Sequence, residues 1–400
     1  MADEMPFGER LARHRQRAGM SRPVLGGLVG RSGEWVKALE TGRLMTPRLP
    51  LLLRLAEVLG VDDLADLTGD ERLSAATYTK AAHEQLSTVA ESLAAYTVSL
   101  EDRPADVAGL VVRVSQMWGL WHGTRRHRTA VAGLLPTLLR DARATVRRAE
   151  GPDRRRAQVA QAQAYHLAQL FLAFQPAPEL VVVTSDRAMI AAQDADDPVA
   201  MAAAAWYVNH RFRSAGEQHE SRVELALDIA RLLNPARSDE ERALWGLLHL
   251  AVALSYAKIG HEGNAWRYWD DADRAARALG DYVHPWLIFG RGMVDAYAVT
   301  MLTDLTKSRE AIRRANRLEL DLIPSVTRRS VHLIATARAY HQRKEDVATI
   351  HLLRKAYDEA PDTSRFDLFT RSAAVDLAHH GAIAVQREAR ELATKLGVPA

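Results

Sequence analysis

Apolar residues recur along this chain at the spacing of helices rather than of strands. In one such stretch, each apolar residue has another three or four positions away: Leu110, Val114, Met117, Trp118 and Trp121. This spacing places the apolar side chains on one face of an α-helix. The nearest approach to a strand, residues 180–183, is a run of only four residues after Pro178. The pattern therefore predicts a nearly all-α fold.

The chain of 400 residues is too long for one ordinary hydrophobic core unless it forms a repeat array. Glycine and proline clusters predict domain boundaries that divide it into residues 1–72, 73–152 and 153–400. We find no apolar run long enough to span a membrane and no secretory signal. With no cysteine, disulfides, thiolate catalysis and zinc–thiolate sites are excluded, so we expect a reducing cytoplasm.

Positive charge is concentrated near the N-terminus. Residues 8–54 contain ten Lys and Arg but only three Asp and Glu, whereas the whole chain carries a net charge of only +3. A compact basic region favours a nucleic-acid partner, because contacts with phosphates release condensed counterions. A solvated charged face remains the alternative interpretation.

The same region carries start and stop signals for closely spaced helices. Gly19 ends a first helix, Ser21 caps a second and Ser32 caps a third that ends near Gly42. A fourth helix, LPLLLRLAEVLG, supplies apolar residues for their core. Two short helices joined by so tight a turn cross steeply, and the second of them protrudes.

Residues 7–67 resemble the phage-repressor helix-turn-helix family, also called the Cro-like or xenobiotic-response-element family. The resemblance is carried by Arg15, AGMS at 18–21, Gly26, Gly30, Ser32, Val36, Leu39, Glu40, Gly42 and LAEVLGV at 55–61. It implies a DNA-binding domain, a homodimer on a palindromic operator and a buried ion pair between Arg15 and Glu40. It also suggests an actinobacterial transcriptional regulator.

The resemblance further implies which side chains face DNA. The positions that match base-facing sites are Ser32, Gly33, Glu34 and Ala38. Arg43 is placed to reach a phosphate or a base edge, and the residues suited to phosphates are Arg22, Arg31, Lys37 and Arg48. Trp35 either packs between helices or contacts the DNA backbone. Gly33 has no side chain and Ala38 has only a methyl group, so these two positions can make few contacts with bases. We therefore expect DNA shape to carry part of the specificity.

The C-terminal region contains a degenerate register of tetratricopeptide type. Counted from Gly246 as position 1, small residues and aromatics recur at fixed offsets, and a second register begins at Ser330. The first comprises Ala253, Tyr256, Ala265, Trp269 and Ala272; the second comprises Ala337, Tyr340, Leu353, Ala356 and Pro361. Looser helical pairs are predicted at 156–193, 199–234 and 285–322. These patterns predict a tetratricopeptide-like helical superhelix.

A helix-turn-helix domain followed by such repeats resembles the regulators that act as peptide-pheromone receptors in quorum sensing. That resemblance implies an effector, a peptide or a small molecule, in the groove of the repeats. The candidate contacts are Tyr207, Asn209, Arg211, Arg213 and Asn316, while a capping role explains Asn264 better. Residues 118–139, with Arg125, Arg126 and Arg128, resemble a connector segment found in long regulators of this kind.

Motifs of catalysis are missing from the sequence. It has no phosphate-binding or dinucleotide-binding glycine pattern, and its histidine pairs lack ligand partners at metal-binding spacing. We therefore expect no enzyme, no cofactor and no metal. The alternative function is a protein-partner module, antitoxin-like or scaffold, whose DNA-binding domain mainly regulates its own promoter.

Overall fold

The computed structural model describes residues 5–61, 64–69, 81–96, 105–213 and 218–398, except for the side chains of residues 65 and 211–213. All regular structure within these ranges is helical, which confirms the all-α prediction. The short strand-like run at 180–183 lies inside a helix. No helix of the described ranges is both long enough and apolar enough to cross a membrane. The predicted boundary near residue 72 falls outside the described residues.

The N-terminal region, here called the head, is a bundle of five short helices. They are α1 Phe7–Arg17, α2 Arg22–Leu28, α3 Gly33–Glu40, α4 Leu49–Leu59 and α5 Leu64–Thr68. Their apolar faces form one cluster, in which Leu25, Val36 and Leu52 are fully buried. The head is therefore a helix-turn-helix domain with its own core.

Within residues 81–96 and 105–148, the helices are α6 Leu86–Ala94, α7 Val107–Gly123, α8 His127–Ala132 and α9 Leu135–Arg148. The sequence predicts this segment as a separate connector. Its buried residues, from Val89 to Ala149, belong to the same hydrophobic cluster as those of the following helices up to Leu305. The segment is thus continuous in its packing with the rest of the chain, and we refer to residues 81–398 together as the body.

The remaining helices form an array of helical hairpins. The first helices are α10 Gly151–Leu172, α12 Pro198–Arg213, α14 Asp239–Lys258, α16 Arg291–Asp304, α18 Val326–His341 and α21 Leu368–His380. Their partners are α11 Pro178–Asp194, α13 His219–Ala230, α15 Glu262–Ala278, α17 Ser308–Ala315, α19 Asp346–Glu359 and α22 Ile383–Leu396. A short helix, α20 Pro361–Phe366, precedes the last hairpin. Within the first five hairpins, the first helices contact one another in succession from α10 to α18.

The repeat register falls on two of these hairpins. Ala253 and Ala265 of the α14–α15 hairpin are fully buried, as are Ala337 and Ala356 of the α18–α19 hairpin. A Cβ atom added at Gly246 would lie 2.5 Å from Cζ of Phe289 and 2.8 Å from the Cβ of Ala275. The small residues thus stand where neighbouring helices come closest. Membership of the tetratricopeptide family stays a prediction.

Helix α7 bridges distant hairpins of the array. It contacts both α10 and α18. Trp118 of α7 stacks on Trp286, with 5.0 Å between ring centroids, and the Nε2 of His122 lies 2.9 Å from the carbonyl oxygen of Trp286. The Nδ1 of His122 lies 2.8 Å from the hydroxyl of Ser325, the residue that caps α18. Helix α7 is therefore packed against first helices from both the beginning and the later part of the array.

Candidate nucleic-acid interface

Helix α3 is held at a fixed angle to α2 by a tight turn. The hydroxyl of Ser32 accepts a hydrogen bond from the backbone N–H of Trp35 at 3.1 Å and so caps α3. Gly30 in the turn has φ +67°, a conformation that L-residues with side chains rarely adopt. A Cβ atom added at Gly26 would lie 2.7 Å from the carbonyl oxygen of Arg31. These glycines allow α2 and α3 to approach closely.

A buried ion pair joins α1 to the end of α3. The Nε of Arg15 lies 2.5 Å from Oε1 of Glu40, and the Nε of Arg22 lies 2.6 Å from Oε2 of the same carboxylate. Burial raises the pKa of Glu40, but the hydrogen bonds and charges of Arg15 and Arg22 outweigh it, so the net pKa is lowered. The structure thus pairs the two residues that the family resemblance pairs, and adds Arg22 as a third.

The outward face of α3 carries charge. The side chain of Glu34 is 62% exposed and that of Lys37 is 46% exposed. Glu34 lies 3.7 Å from the Nζ of Lys37 and 4.0 Å from a guanidinium nitrogen of Arg43. Pairs this exposed are weak, so these side chains can exchange their partners for bases or phosphates.

Two of the predicted base-facing positions have mainly structural surroundings. A Cβ atom added at Gly33 would lie 3.0 Å from the Cγ and the backbone nitrogen of Pro23 in the first turn of α2. Ala38 is fully buried, and at the end of α3 the chain folds back so that the amides of Arg43 and Leu44 both donate to the Ala38 carbonyl. The expectation that Ala38 offers its methyl group to thymine is not met in this arrangement.

The predicted phosphate contacts are also partly engaged within the protein. Arg22 is half-exposed but holds Glu40. Arg31 is buried, donates to the carbonyl of Gly30 at 2.8 Å and places its guanidinium 5.6 Å from the ring centroid of Trp35. Trp35 itself packs against the core of the head. Lys37, Arg43 and Arg48 are therefore the basic side chains of α3 and its following loop that remain at least partly exposed to solvent.

The head touches the body at both ends of α3, and we call this surface the head–body contact. Gly260, in the turn between α14 and α15, faces Ser32: a Cβ atom added there would lie 2.3 Å from the Cβ of Ser32. Beyond α3, Met45 packs against the apolar cluster that includes Ala337 and Leu353. Part of Arg48 stays exposed, yet its pKa is lowered, chiefly by loss of surrounding water, while the charge of Asp367 raises it and that of Arg338 lowers it.

Two of the predicted effector residues, Tyr207 and Asn209, are buried. Tyr207 is buried and stacks on His166, with 4.4 Å between ring centroids. The side-chain amide of Asn209 donates to the backbone carbonyls of Ala205 and Arg222, which is a structural role. Asn316 is an exposed residue at the C-terminal end of α17, and the side chains of residues 211 and 213 are outside the described part of the structure. Effector contacts at these positions stay predictions.

A concavity opens elsewhere on the body, between the end of α7 and the α19–α20 region. It has a volume of about 640 Å³. The residues that line it are Gly123, Thr124, Arg125, Arg126, Tyr357 and Pro361. Arg125 and Arg126 are exposed there, whereas Arg128 is buried and donates to the carbonyls of Leu170 and Phe171.

Comparison with known proteins agrees with the geometry of the head. Residues 6–67 match the family described as the helix-turn-helix domain. The matched range covers α1 to α5 almost completely, and this family describes a DNA-binding domain rather than a catalytic one. No curated protein matches the chain.

Sequence reasoning missed the residues of the body that lie near the head. Gly260 occupies the turn after a predicted helix, where a glycine is ordinary, and nothing in its local pattern signals a contact with Ser32. Lys258, Arg338 and Asp367, whose charges act near the head, have the pattern of surface charges in the sequence.

Proposed function

We propose that this chain is a sequence-specific regulator of transcription that binds duplex DNA through α3. The observation that carries the proposal is the outward face of α3, which presents Glu34, Lys37 and Arg43 from a helix fixed by the Ser32 cap and the Arg15–Glu40 pair. Helices presented in this way enter the major groove, where a carboxylate accepts from cytosine and basic side chains bind phosphates or guanine. The helix-turn-helix match over residues 6–67 supports it.

The protein acts in the cytoplasm as a homodimer on a palindromic operator. One head offers few side chains for direct readout, because Gly33 lacks a side chain and Ala38 is buried. Two heads on half-sites one helical turn apart add their contacts and reach useful affinity.

An effector, a peptide or a small molecule, binds the body and sets the balance between dimer arrangements. A ligand shifts such a balance only by its difference in affinity for the two states. The concavity beside Arg125 and Arg126 has the volume of an ordinary ligand site and two cationic side chains. It favours an effector with an anionic group.

The test is selection of binding sequences from a randomised duplex pool by the purified full-length protein at low ionic strength. We expect an enriched motif with two-fold symmetry. Glu34→Ala should change the base preferred at one position of each half-site, because it removes an acceptor for cytosine. Glu57→Ala, which removes an exposed glutamate of α4, is the matched control and should leave the motif unchanged.

Two results would contradict the proposal. One is a pool that shows no enrichment with any preparation of the protein. The other is an identical motif for the wild type and Glu34→Ala, which would remove α3 from sequence readout.

A further inference from the structure

We propose that the head–body contact is autoinhibitory, so that the described arrangement is one in which the body keeps α3 out of the major groove. This inference rests on the proposed DNA-binding function and concerns how that function is switched. It assigns a role to the turn between α14 and α15, some 220 residues away from α3 in the chain.

The contact covers the end of α3 that DNA needs. In helix-turn-helix domains, the N-terminal residues of the recognition helix contact the base edges. Here the N-cap residue of that helix, Ser32, meets the body: an added Cβ at Gly260 would lie 2.3 Å from its Cβ and 3.1 Å from its Oγ. The major groove is roughly 12 Å wide and flanked by two phosphate backbones, so a duplex and the α14–α15 turn cannot occupy this end together.

A second attachment beyond the C-terminal end of α3 fixes the head in this orientation. Met45 packs its side chain against the apolar cluster of α18, α19, α21 and α22. Pro47 is buried, and the charges of Asp367 and Arg338 act on Arg48. Contacts at both ends of α3 prevent the head from pivoting about either one.

Charges of both signs lie around the contact. The Nζ of Lys258, 2.9 Å from Asp304, belongs to a side chain that is only 17% exposed. Burial lowers the pKa of Lys258 to about 8; Asp304 opposes this shift, and the charges of Arg31 and Arg338 add to it. Docking therefore brings the cation of Arg31 near both the ammonium group of Lys258 and the carboxylate of Asp304. An effector or DNA releases the head by the difference in its affinity for the docked and the released arrangements.

The first test compares two glycine substitutions in the full-length protein. Gly260 has φ +81° and Gly280, which follows α15, has φ +60°, so alanine strains the backbone at either position. An added Cβ meets Ser32 at Gly260 but nothing within 4 Å at Gly280. We expect Gly260→Ala to raise the affinity for the selected operator about tenfold, a usual size for allosteric coupling, and Gly280→Ala to leave it unchanged. Equal affinities in the wild type and both variants, with equal thermal midpoints, would overturn the proposal.

The second test follows the contact by hydrogen–deuterium exchange of the full-length protein. Peptides that span the α14–α15 turn are compared in the free protein and with saturating amounts of the selected operator. We expect the operator to raise exchange in this turn, because the head leaves it, and Gly260→Ala to show the raised exchange without DNA while Gly280→Ala does not. If exchange in the turn is the same with and without the operator, the inference is wrong.

The two tests also separate this inference from the proposed function. Exchange in the α14–α15 turn of the wild type and Gly260→Ala is measured without DNA. If Gly260→Ala raises this exchange but neither protein enriches any sequence, the contact exists and the DNA-binding proposal fails. If the wild type and Gly260→Ala bind the operator with equal affinity, the function stands and autoinhibition fails.

Discussion

Both the head and the body bury charged side chains, but the body also buries histidines, which the described part of the head does not. In the head, Arg15 and Glu40 are buried as charged groups, and each has a partner of opposite charge in hydrogen-bonding contact. In the body, the buried titratable groups include histidines held neutral, of which His166 stacks between Tyr207 and Trp286. The comparison shows two solutions to the same problem: a charge can be paired, or it can be avoided by losing the proton.

The difference determines which changes each region tolerates. Removing one member of a buried ion pair destabilises the fold, because the remaining charge is buried without compensation. A buried neutral histidine destabilises the fold as the pH falls, because the unfolded chain then binds protons that the folded chain excludes. The head should therefore be sensitive to mutation at one pair, and the body to acid.

Acid should unfold the body. Burial lowers the pKa of His166 to about 3 and those of His122, His284 and His332 to about 4, and in His122 the charge of Arg328 adds to the effect. The unfolded state protonates near 6.5, so stability is complete above that pH and is lost as the pH falls towards 4. At pH 4, each of these histidines lowers the free energy of unfolding by about 3 kcal/mol, and the four together lower it by on the order of 10 kcal/mol. That loss is comparable to the stability of a whole domain.

Tryptophan fluorescence against pH measures this loss, since seven of the eight tryptophans lie in the body. His166→Phe keeps a ring between its neighbours but cannot titrate, and it should lower the acid midpoint. His379→Gln, which removes an exposed histidine, should not. A body that remains native at pH 4 would show that its buried histidines do not make it sensitive to acid.

Removal of Glu40 should unfold the head locally. Glu40→Ala leaves Arg15 buried without an opposite charge, with the Met20 carbonyl still accepting from its Nη1, and should cost about 3–5 kcal/mol in the free energy of unfolding of the head. Arg22→Ala removes a half-exposed partner and leaves the Arg15–Glu40 pair, so it should cost about 1 kcal/mol or less. Hydrogen–deuterium exchange of peptides from α1 and α3 reports both values. Equal losses of stability in Glu40→Ala and Arg22→Ala would show that the buried Arg15–Glu40 pair contributes no more than the half-exposed contact of Arg22.

Close helix packing in the body should make it sensitive to a single methyl group. Gly246→Ala places a Cβ 2.5 Å from the ring of Phe289 and should cost about 1–3 kcal/mol. Gly119→Ala is the matched control on α7, where an added Cβ meets nothing within 4 Å, and should stabilise the helix by up to about 1 kcal/mol. Chemical denaturation of the full-length protein measures both. A neutral Gly246→Ala would contradict the close approach of α14 to its neighbours.

The smallest expected effect is the loss of operator affinity when one basic residue of the head is removed. Lys37→Ala should lower operator affinity several-fold and reduce the slope of log affinity against log salt by about one unit, because one phosphate contact is lost. Lys355→Ala, which removes an exposed lysine of α19, should change neither quantity. Salt titration of binding to the selected operator provides the measurement. Equal slopes for both variants would place Lys37 outside the DNA contact.

The structure shows how far the site could be predicted from sequence. Caps and glycines act over a few residues, so Ser21 and Ser32 located two helices of the head, and small residues at repeat offsets located the helical hairpins. The Arg15–Glu40 pair followed from family resemblance, because its members are 25 residues apart. The burial of Ala38 did not follow, since it depends on how the loop after α3 folds back.

The sequence by itself determined the helical fold, the basic head with its recognition helix and the pairing of most helices into hairpins. These features depend on contacts between residues close in the chain, which leave a periodic record. Only the tertiary structure decided that α7 bridges the array, through a contact between His122 and Ser325 that spans 203 residues, and that Gly260 covers the end of α3. Such contacts join surfaces whose own local patterns are ordinary, and they exist because the packing of many helices sets which surfaces meet.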